Sequence, residues 1–203
     1  MKANVLLVVA VIAVLIALVN FSLTLTKIRD INAIFTGLAT DTGLVNLTIS
    51  SEANVNFSTD TINFGSGRVD MGFQNATLYS WNTTSEQGNW SWGSAKYLRL
   101  DNIGNVNLTL NLSSDVNAAS YLSGTNPVYQ WNMTNVDTGA CVNTTSTTAL
   151  RAFSDVTTTQ TKFCEPLQFG VGVNTVQIDF FLRVPENSIK GERTSTITAT
   201  GTA

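Results

Sequence analysis

The chain has 203 residues, no histidine, two cysteines and only 12% charged residues. Each shortage excludes something. Imidazole is the usual general acid or base at neutral pH, so a Ser–His–Asp triad and any His-ligated metal are ruled out. Charged residues usually make up about a quarter of a globular chain. A surface this poor in charge needs another source of solubility. The 11 basic residues are scattered and outnumbered by 14 acidic ones, with net charge −3 and a pI near 4.8. Nucleic acid demands clustered Lys and Arg, so no nucleic-acid partner is expected. Asp101, Asp115, Asp137 and Asp155 stand singly among Asn, Thr and Ser. Their spacing matches no EF-hand loop, and they read as solvated turn carboxylates. Gly65-Ser66-Gly67 has no Lys beside it and no helix after it, so it is a turn rather than a phosphate loop. No catalytic residue, metal or cofactor is implied.

What the chain does have begins at once. Fifteen apolar residues run without interruption from Val5 to Val19: Val5, Leu6, Leu7, Val8, Val9, Ala10, Val11, Ile12, Ala13, Val14, Leu15, Ile16, Ala17, Leu18 and Val19. No charge falls between Lys2 and Lys27. A bilayer core about 30 Å thick needs roughly 20 helical residues, and the stretch from Ala3 to Leu25 supplies them. A cleaved signal would exit through small residues. This run exits through Ala17-Leu18-Val19-Asn20-Phe21-Ser22, and the apolar pattern goes on. Leu25, Ile28, Ile31, Phe35 and Leu38 follow at spacings of three and four, one stripe of a helix. Gly37 and Gly43 then stop it. The spacing predicts one helix of about 35 residues, apolar all round in its first half and amphipathic in its second. Ile28, Ile31, Phe35 and Leu38 are expected to contact the body that follows. The chain thus divides into a helical segment over 1–40 and a second domain over 41–203. A removable signal has no need of the amphipathic half, so the helix is expected to be retained, as a membrane anchor or packed among copies of itself.

The second domain reads as strands. Val45–Ser50, Tyr97–Asp101 and Val106–Ser113 alternate strictly between apolar and polar. Asn54–Phe57, Thr61–Phe64, Val69–Phe73, Ala76–Trp81, Val128–Met133, Val176–Val184 and Thr194–Thr200 are further candidates. Turn clusters separate them at Gly65–Gly67, Asn102–Asn105, Ser123–Pro127 and Pro185–Gly191. Many short strands at this spacing, with no helical period between them, predict an antiparallel Ig-like sandwich. The Val176–Val184 strand is the most apolar, hence central, and is expected to pair with Thr194–Thr200. Cys141 and Cys164 have no His to share a metal with and are not a C-x-x-C pair. In an exported chain they read as a disulfide. Closing a loop of that length contributes about 3 kcal/mol by chain entropy.

Asn-x-Ser/Thr sequons occur at Asn20, Asn46, Asn56, Asn75, Asn82, Asn89, Asn107, Asn111, Asn132 and Asn143. With 21 Asn and 46 Ser plus Thr, chance alone supplies about half that number. The plain alternative is that Asn-Leu-Thr and Asn-x-Ser simply suit a Thr-rich alternating strand. Asn107 and Asn111 are four apart and share a strand face. If Leu108, Leu110 and Leu112 face the core, both Asn face water. Asn20 lies in the apolar helix and is expected to be unmodified, with several of the other nine carrying N-linked glycans. Sequons belong to exported loops, so the second domain is expected outside the cell. Four tryptophans, Trp81, Trp90, Trp92 and Trp131, offer a possible sugar-stacking platform, with Asn89-Trp90-Ser91-Trp92-Gly93 the best candidate and core packing the commoner role.

A long apolar N-terminal helix leading straight into a Thr- and Asn-rich, His-free β-domain resembles archaeal type IV pilins and archaellins. Where bacterial pilins place Glu near the helix start, this chain has Val5, as archaeal members do. The precursors of that superfamily carry a short leader ending in a basic residue and Gly; here Met1-Lys2-Ala3-Asn4 opens directly on the helix. Leu98–Val106 and Val184–Asn187 also resemble segments of Ig-like archaeal surface domains. The resemblance implies helices bundled in a filament core, a glycosylated sheath, and a partner that is a second copy of the same chain. It also implies insertion through the cytoplasmic membrane before assembly and a final place at the cell surface, in adhesion or attachment. The competing expectation is a single-pass, membrane-anchored surface protein with one Ig-like ectodomain. An enzyme is a third reading, since spacing does not decide where a glycosidase's carboxylate pair would fall.

Overall fold

The computed structural model describes residues 2–35, 46–94, 96–142 and 152–203. The chain divides into two compact units, Met1–Thr48 and Ile49–Ala203.

The first unit holds helix α1, Lys2–Phe35, 34 residues long. At 1.5 Å per residue it extends about 51 Å. Nothing between Lys2 and Phe35 breaks it, because no Gly or Pro interrupts the run and neither backbone freedom nor a missing N–H ends the ladder. Thr24 Oγ1 donates to the Asn20 carbonyl at 2.8 Å, and Thr26 Oγ1 to that of Leu23 at 2.8 Å. These bonds satisfy both hydroxyls on the helix itself.

The described residues of the second unit form nine strands and one short helix. In chain order they are β1 Val55–Thr59, β2 Asn75–Tyr79, β3 Leu98–Asn102, β4 Leu108–Ser114, α2 Ala118–Tyr121, β5 Val128–Asn135, β6 Ser154–Asp155, β7 Thr161–Leu167, β8 Thr175–Pro185 and β9 Ile197–Thr202. They form two antiparallel sheets. The larger has the order β1-β3-β8-β5-β6, with β2 also on β8, and the smaller has the order β7-β4-β9. The mainly-β architecture behind an N-terminal helix is therefore as the sequence predicts.

The 11-residue β8 organises the larger sheet. One of its edges pairs with β5 from Val128↔Arg183 to Asn135↔Val176. Its other edge is shared end to end by two strands. The β2 strand takes Phe181–Pro185 and β3 takes Thr175–Ile178. The chain leaves that edge after Ser80 and returns to it at Leu98. Val176, Ile178, Phe180 and Leu182 point to the core, while Thr175, Gln177, Asp179, Phe181 and Arg183 alternate to the opposite face. The β4 strand repeats the rule: Leu108, Leu110 and Leu112 are buried and Thr109, Asn111 and Ser113 are not.

The sheets close on each other through side chains of both. Trp131 on β5 meets Phe163 on β7 edge to face, centroids 4.9 Å apart at 87°, the arrangement that ring quadrupoles prefer. The buried Asn102 amide on β3 donates to the carbonyls of Val106, Leu167 and Gln168. Cys141 and Cys164 form a disulfide with Cα atoms 5.7 Å apart. It ties the segment that follows β5 to β7, where Cys141 also bridges Leu167.

Four expectations about strands are corrected. The β8 strand does not pair with the last strand; β9 lies on β4 in the other sheet, from Thr109↔Thr202 to Ser114↔Ile197. Alternation sets which side of a strand is apolar, and both strands have an apolar side, so it did not choose the partner. Thr61–Phe64 and Val69–Phe73 are not strands. Ile62, Phe64 and Val69 still pack on the core, but from irregular backbone held by Asn63 Oδ1 to Gly65 N–H at 2.7 Å and the Val69↔Gly88 bridge. Within Val45–Ser50, residues 46–50 belong to no strand, and Leu47 and Ile49 stand 81% and 79% exposed.

Candidate functional site

Two surfaces stand out, one in each unit. The first is the helix. Leu7–Lys27, 21 residues with a mean hydropathy of 2.7, is long and apolar enough to cross a membrane. None of it is buried. Leu7, Val8, Val9, Val11, Ile12, Val14, Leu15, Ile16, Leu18 and Val19 are between 51% and 68% exposed. The side chains of Val5 and Leu6 lie outside the described residues, as do those of Ile28, Ile31 and Phe35, and all of Leu38. The expected contact of these last four with the β-unit therefore falls outside the described structure. Shallow grooves run along the helix, one edged by Leu7, Ala10, Val11, Val14 and Leu15, another by Ile12, Leu15, Ile16, Val19 and Asn20. Their spacing of three and four is that of the gaps into which ridges of a neighbouring helix pack.

The second surface is the outward side of the β-unit, where the sequons fall in different settings. Asn46, Asn56, Asn89 and Asn107 are exposed, and Asn75, Asn82 and Asn111 half-buried. Asn89 Oδ1 accepts the Arg68 N–H at 2.7 Å and Asn107 Oδ1 the Phe169 N–H at 3.1 Å. Both bonds use the oxygen and hold the side chain while leaving the amide nitrogen, the atom a glycan joins, uncommitted. Asn111 and Asn107 belong to the water side of β4 and its entry, as the burial of Leu108, Leu110 and Leu112 requires. Asn132 differs: it is 8% exposed. Asn143 lies outside the described residues.

The tryptophans divide as well. Trp131 is wholly buried. Trp90 and Trp92 are half-buried against the core. Trp92 Nε1 donates to the Asn82 carbonyl at 2.6 Å and the ring meets Phe64 edge on, at 5.1 Å. Gly67 lies under Trp90, where a Cβ would fall 2.3 Å from the ring. The Asn89–Gly93 stretch is thus packing rather than an open platform. Trp81 is the exposed one, at 41%, and it belongs to a cluster that the sequence reading did not assemble. Tyr79 stacks on Phe181 at 5.1 Å, Trp81 lies 4.7 Å from Tyr79 and 5.4 Å from Phe153, and Phe153 lies 6.2 Å from Phe181. The signal was present in the outward series of β8, but Phe153 and Tyr79 are far from it in sequence.

Beside this cluster lies a polar row. Asn132 is opposite Asp179 in the β5–β8 register, and Gln130 opposite Phe181. Asp179 accepts from Gln177 Nε2 at 3.0 Å and from Ser80 Oγ at 3.4 Å. Burial pushes its carboxyl pKa up, and those two donors pull against the shift. Elsewhere burial raises Tyr121 and Tyr129; the hydroxyl of Tyr129 donates to Ser195 at 3.0 Å. Among the described residues, no three His, Cys, Asp or Glu side chains group as metal ligands would. The disulfide is the mark of an oxidising compartment.

None of the protein-family models, curated proteins or solved structures compared with the chain matches it.

Proposed function

We propose that the chain is a non-enzymatic structural subunit of an extracellular filament of the type IV pilus kind, serving attachment at the cell surface. Its helices would bundle in the core and its glycosylated β-units would form the sheath. The observation that carries this reading is the helix: a 21-residue apolar span with exposed side chains, on a helix 34 residues long. Apolar area on this scale must be removed from water, and at roughly 1.5–3 kcal/mol per buried Val, Leu or Ile neighbouring copies supply ample driving force. A head-to-tail contact that does not close gives a helical polymer. Before assembly the bilayer would hold the same span. Exposed sequons at Asn46, Asn56, Asn89 and Asn107, with half-buried Asn75, Asn82 and Asn111, would carry the sheath glycans. With charged residues at 12%, those sugars would supply the solubility that charge does not.

A second reading rests on the match between Leu7–Lys27 and one bilayer thickness: a single-pass anchor with a β-rich ectodomain outside the cell. The discriminating experiment is electron microscopy of material sheared from the source cells, with mass spectrometry of its protein. Filaments made of this chain, in which residues 5–19 resist protease, are the expected result. A chain that stays with the membrane and leaves it only in detergent, as a monomer, overturns the filament and establishes the anchor.

A further inference from the structure

We propose that the outward face of the larger sheet around Trp81 is a binding site for neutral hexose saccharides. Tyr79, Trp81, Phe153 and Phe181 come from three separate stretches of chain and meet with centroids 4.7 to 6.2 Å apart. They stand on the side of the sheet turned away from the core, and Trp81 keeps 41% of its surface open. An aromatic ring has an electron-rich face. The C–H face of a pyranose, slightly positive and apolar, is its natural complement.

The independent observation is Asn132. It sits on the same face, opposite Asp179, and is 8% exposed. Its Oδ1 is buried without a hydrogen-bond partner. Buried acceptors in folded proteins are nearly always satisfied, and an unsatisfied one calls for an explanation. A ligand hydroxyl is a donor of the right kind. An apolar protein partner would cover the rings and leave that oxygen unpaired.

Charge selects among sugars. Asp179 lies beside Asn132, and Asp155 accepts from Gln130 Nε2 at 2.8 Å. Arg183, the basic residue two along from Phe181, has its Nε and Nη2 committed to the Asn126 carbonyl. Two carboxylates beside a committed cation disfavour uronic, sialic or sulfated sugars and accept hydroxyl donors. The site therefore takes neutral hexoses, with a ring of the saccharide on Trp81 and a hydroxyl toward Asn132.

The test uses the full chain in mild detergent on an array of neutral and acidic oligosaccharides. The strongest neutral binder is then titrated against tryptophan fluorescence. Neutral hexose oligosaccharides are expected to bind. Trp81→Ala and Phe153→Ala should each weaken binding roughly tenfold, on the scale of one lost aromatic stack, and Trp81→Phe should lose less. Met71→Ala, fully exposed and outside the ring cluster, should bind as the parent does. Thr134→Ala removes the Asn132 sequon but keeps the amide, and should also bind as the parent does. Circular dichroism matching the parent shows each variant folded. No neutral saccharide bound, binding of acidic ones only, or undiminished affinity in folded Trp81→Ala overturns the site.

Discussion

Ser80 fills the gap between β2 and β3 on one edge of β8 by bonding to Asp179 and its neighbour Phe180. Its Oγ donates to Asp179 Oδ1 at 3.4 Å and accepts the Phe180 N–H at 2.9 Å, while its own N–H reaches the Phe180 carbonyl at 2.9 Å. Where β2 has ended and β3 has not begun, one hydroxyl completes the ladder. Ser80→Ala leaves a buried N–H and a buried carboxylate each short of a partner. Such a loss costs about 1–3 kcal/mol, read as a lower urea midpoint of the full chain in detergent. A midpoint unchanged from the parent would show that water or another group takes over.

The same pair gives a pH dependence. Asp179 has its folded pKa raised above the ordinary 3.8, burial being the main cause. The folded state then holds the proton more tightly than the unfolded chain does. Its contribution to stability is full below about pH 4 and is lost as pH rises through the folded pKa. Asp179→Asn removes that loss. The variant should gain stability relative to the parent as pH rises from 4 to 7, and the two stability curves should converge toward pH 4. Parallel curves would contradict the raised pKa.

Cys141 and Cys164 link the segment after β5 to β7 across 23 positions of sequence. Replacing both by Ser frees the unfolded chain, and the chain-entropy relation puts the loss at about 3 kcal/mol. The expected result is a cooperative but earlier denaturant transition, matched by the parent under reductant.

Gly104 has no room for a side chain. A Cβ there would fall 2.2 Å from the Glu52 carbonyl oxygen and 2.9 Å from the Asn54 nitrogen, both backbone. These same residues bond the 103–105 turn to the approach of β1, through Ile103 N–H and Gly104 N–H to the Asn54 carbonyl and Asn105 N–H to that of Glu52. Gly104→Ala must push that approach away, at a cost of about 1–3 kcal/mol. Thermal unfolding of the variant checks it. A melting temperature equal to the parent's would mean the approach moves freely.

Leu15→Ala separates the two readings of the helix. In a bilayer the span still inserts, since it remains apolar throughout. In a packed bundle the lost side chain leaves a cavity in every subunit, at about 2–5 kcal/mol each. Filaments of the variant should be fewer and should dissociate at lower temperature, with membrane insertion unchanged. Filaments as stable as the parent's would place Leu15 away from the helix contacts.

Much of this architecture was written in local pattern. The run from Val5 to Val19 dictates a helix because an apolar backbone without Gly or Pro satisfies its own hydrogen bonds that way. The alternation in Val106–Ser113, Tyr97–Asp101 and Val176–Val184 dictates strands and says which side is apolar, and Leu108, Leu110, Leu112, Leu100 and Ile178 are buried accordingly. What alternation carries no information about is partnership. It could not show that β8 takes β2 and β3 on one edge rather than β9, because that choice is made by hydrogen bonds between residues about a hundred positions apart, as Ser80 and Phe180 are. Nor could it show that the strictly alternating Leu47 and Ile49 stay exposed while irregular Phe64 packs on the core. The outward cluster of Tyr79, Trp81, Phe153 and Phe181, and the burial of Asn132 beside it, exist only once three distant stretches share a sheet. Sequence set the period and the apolar face of each element; tertiary structure alone decided the neighbours, since neighbours are fixed by which long-range pairings satisfy the most backbone and bury the most surface together.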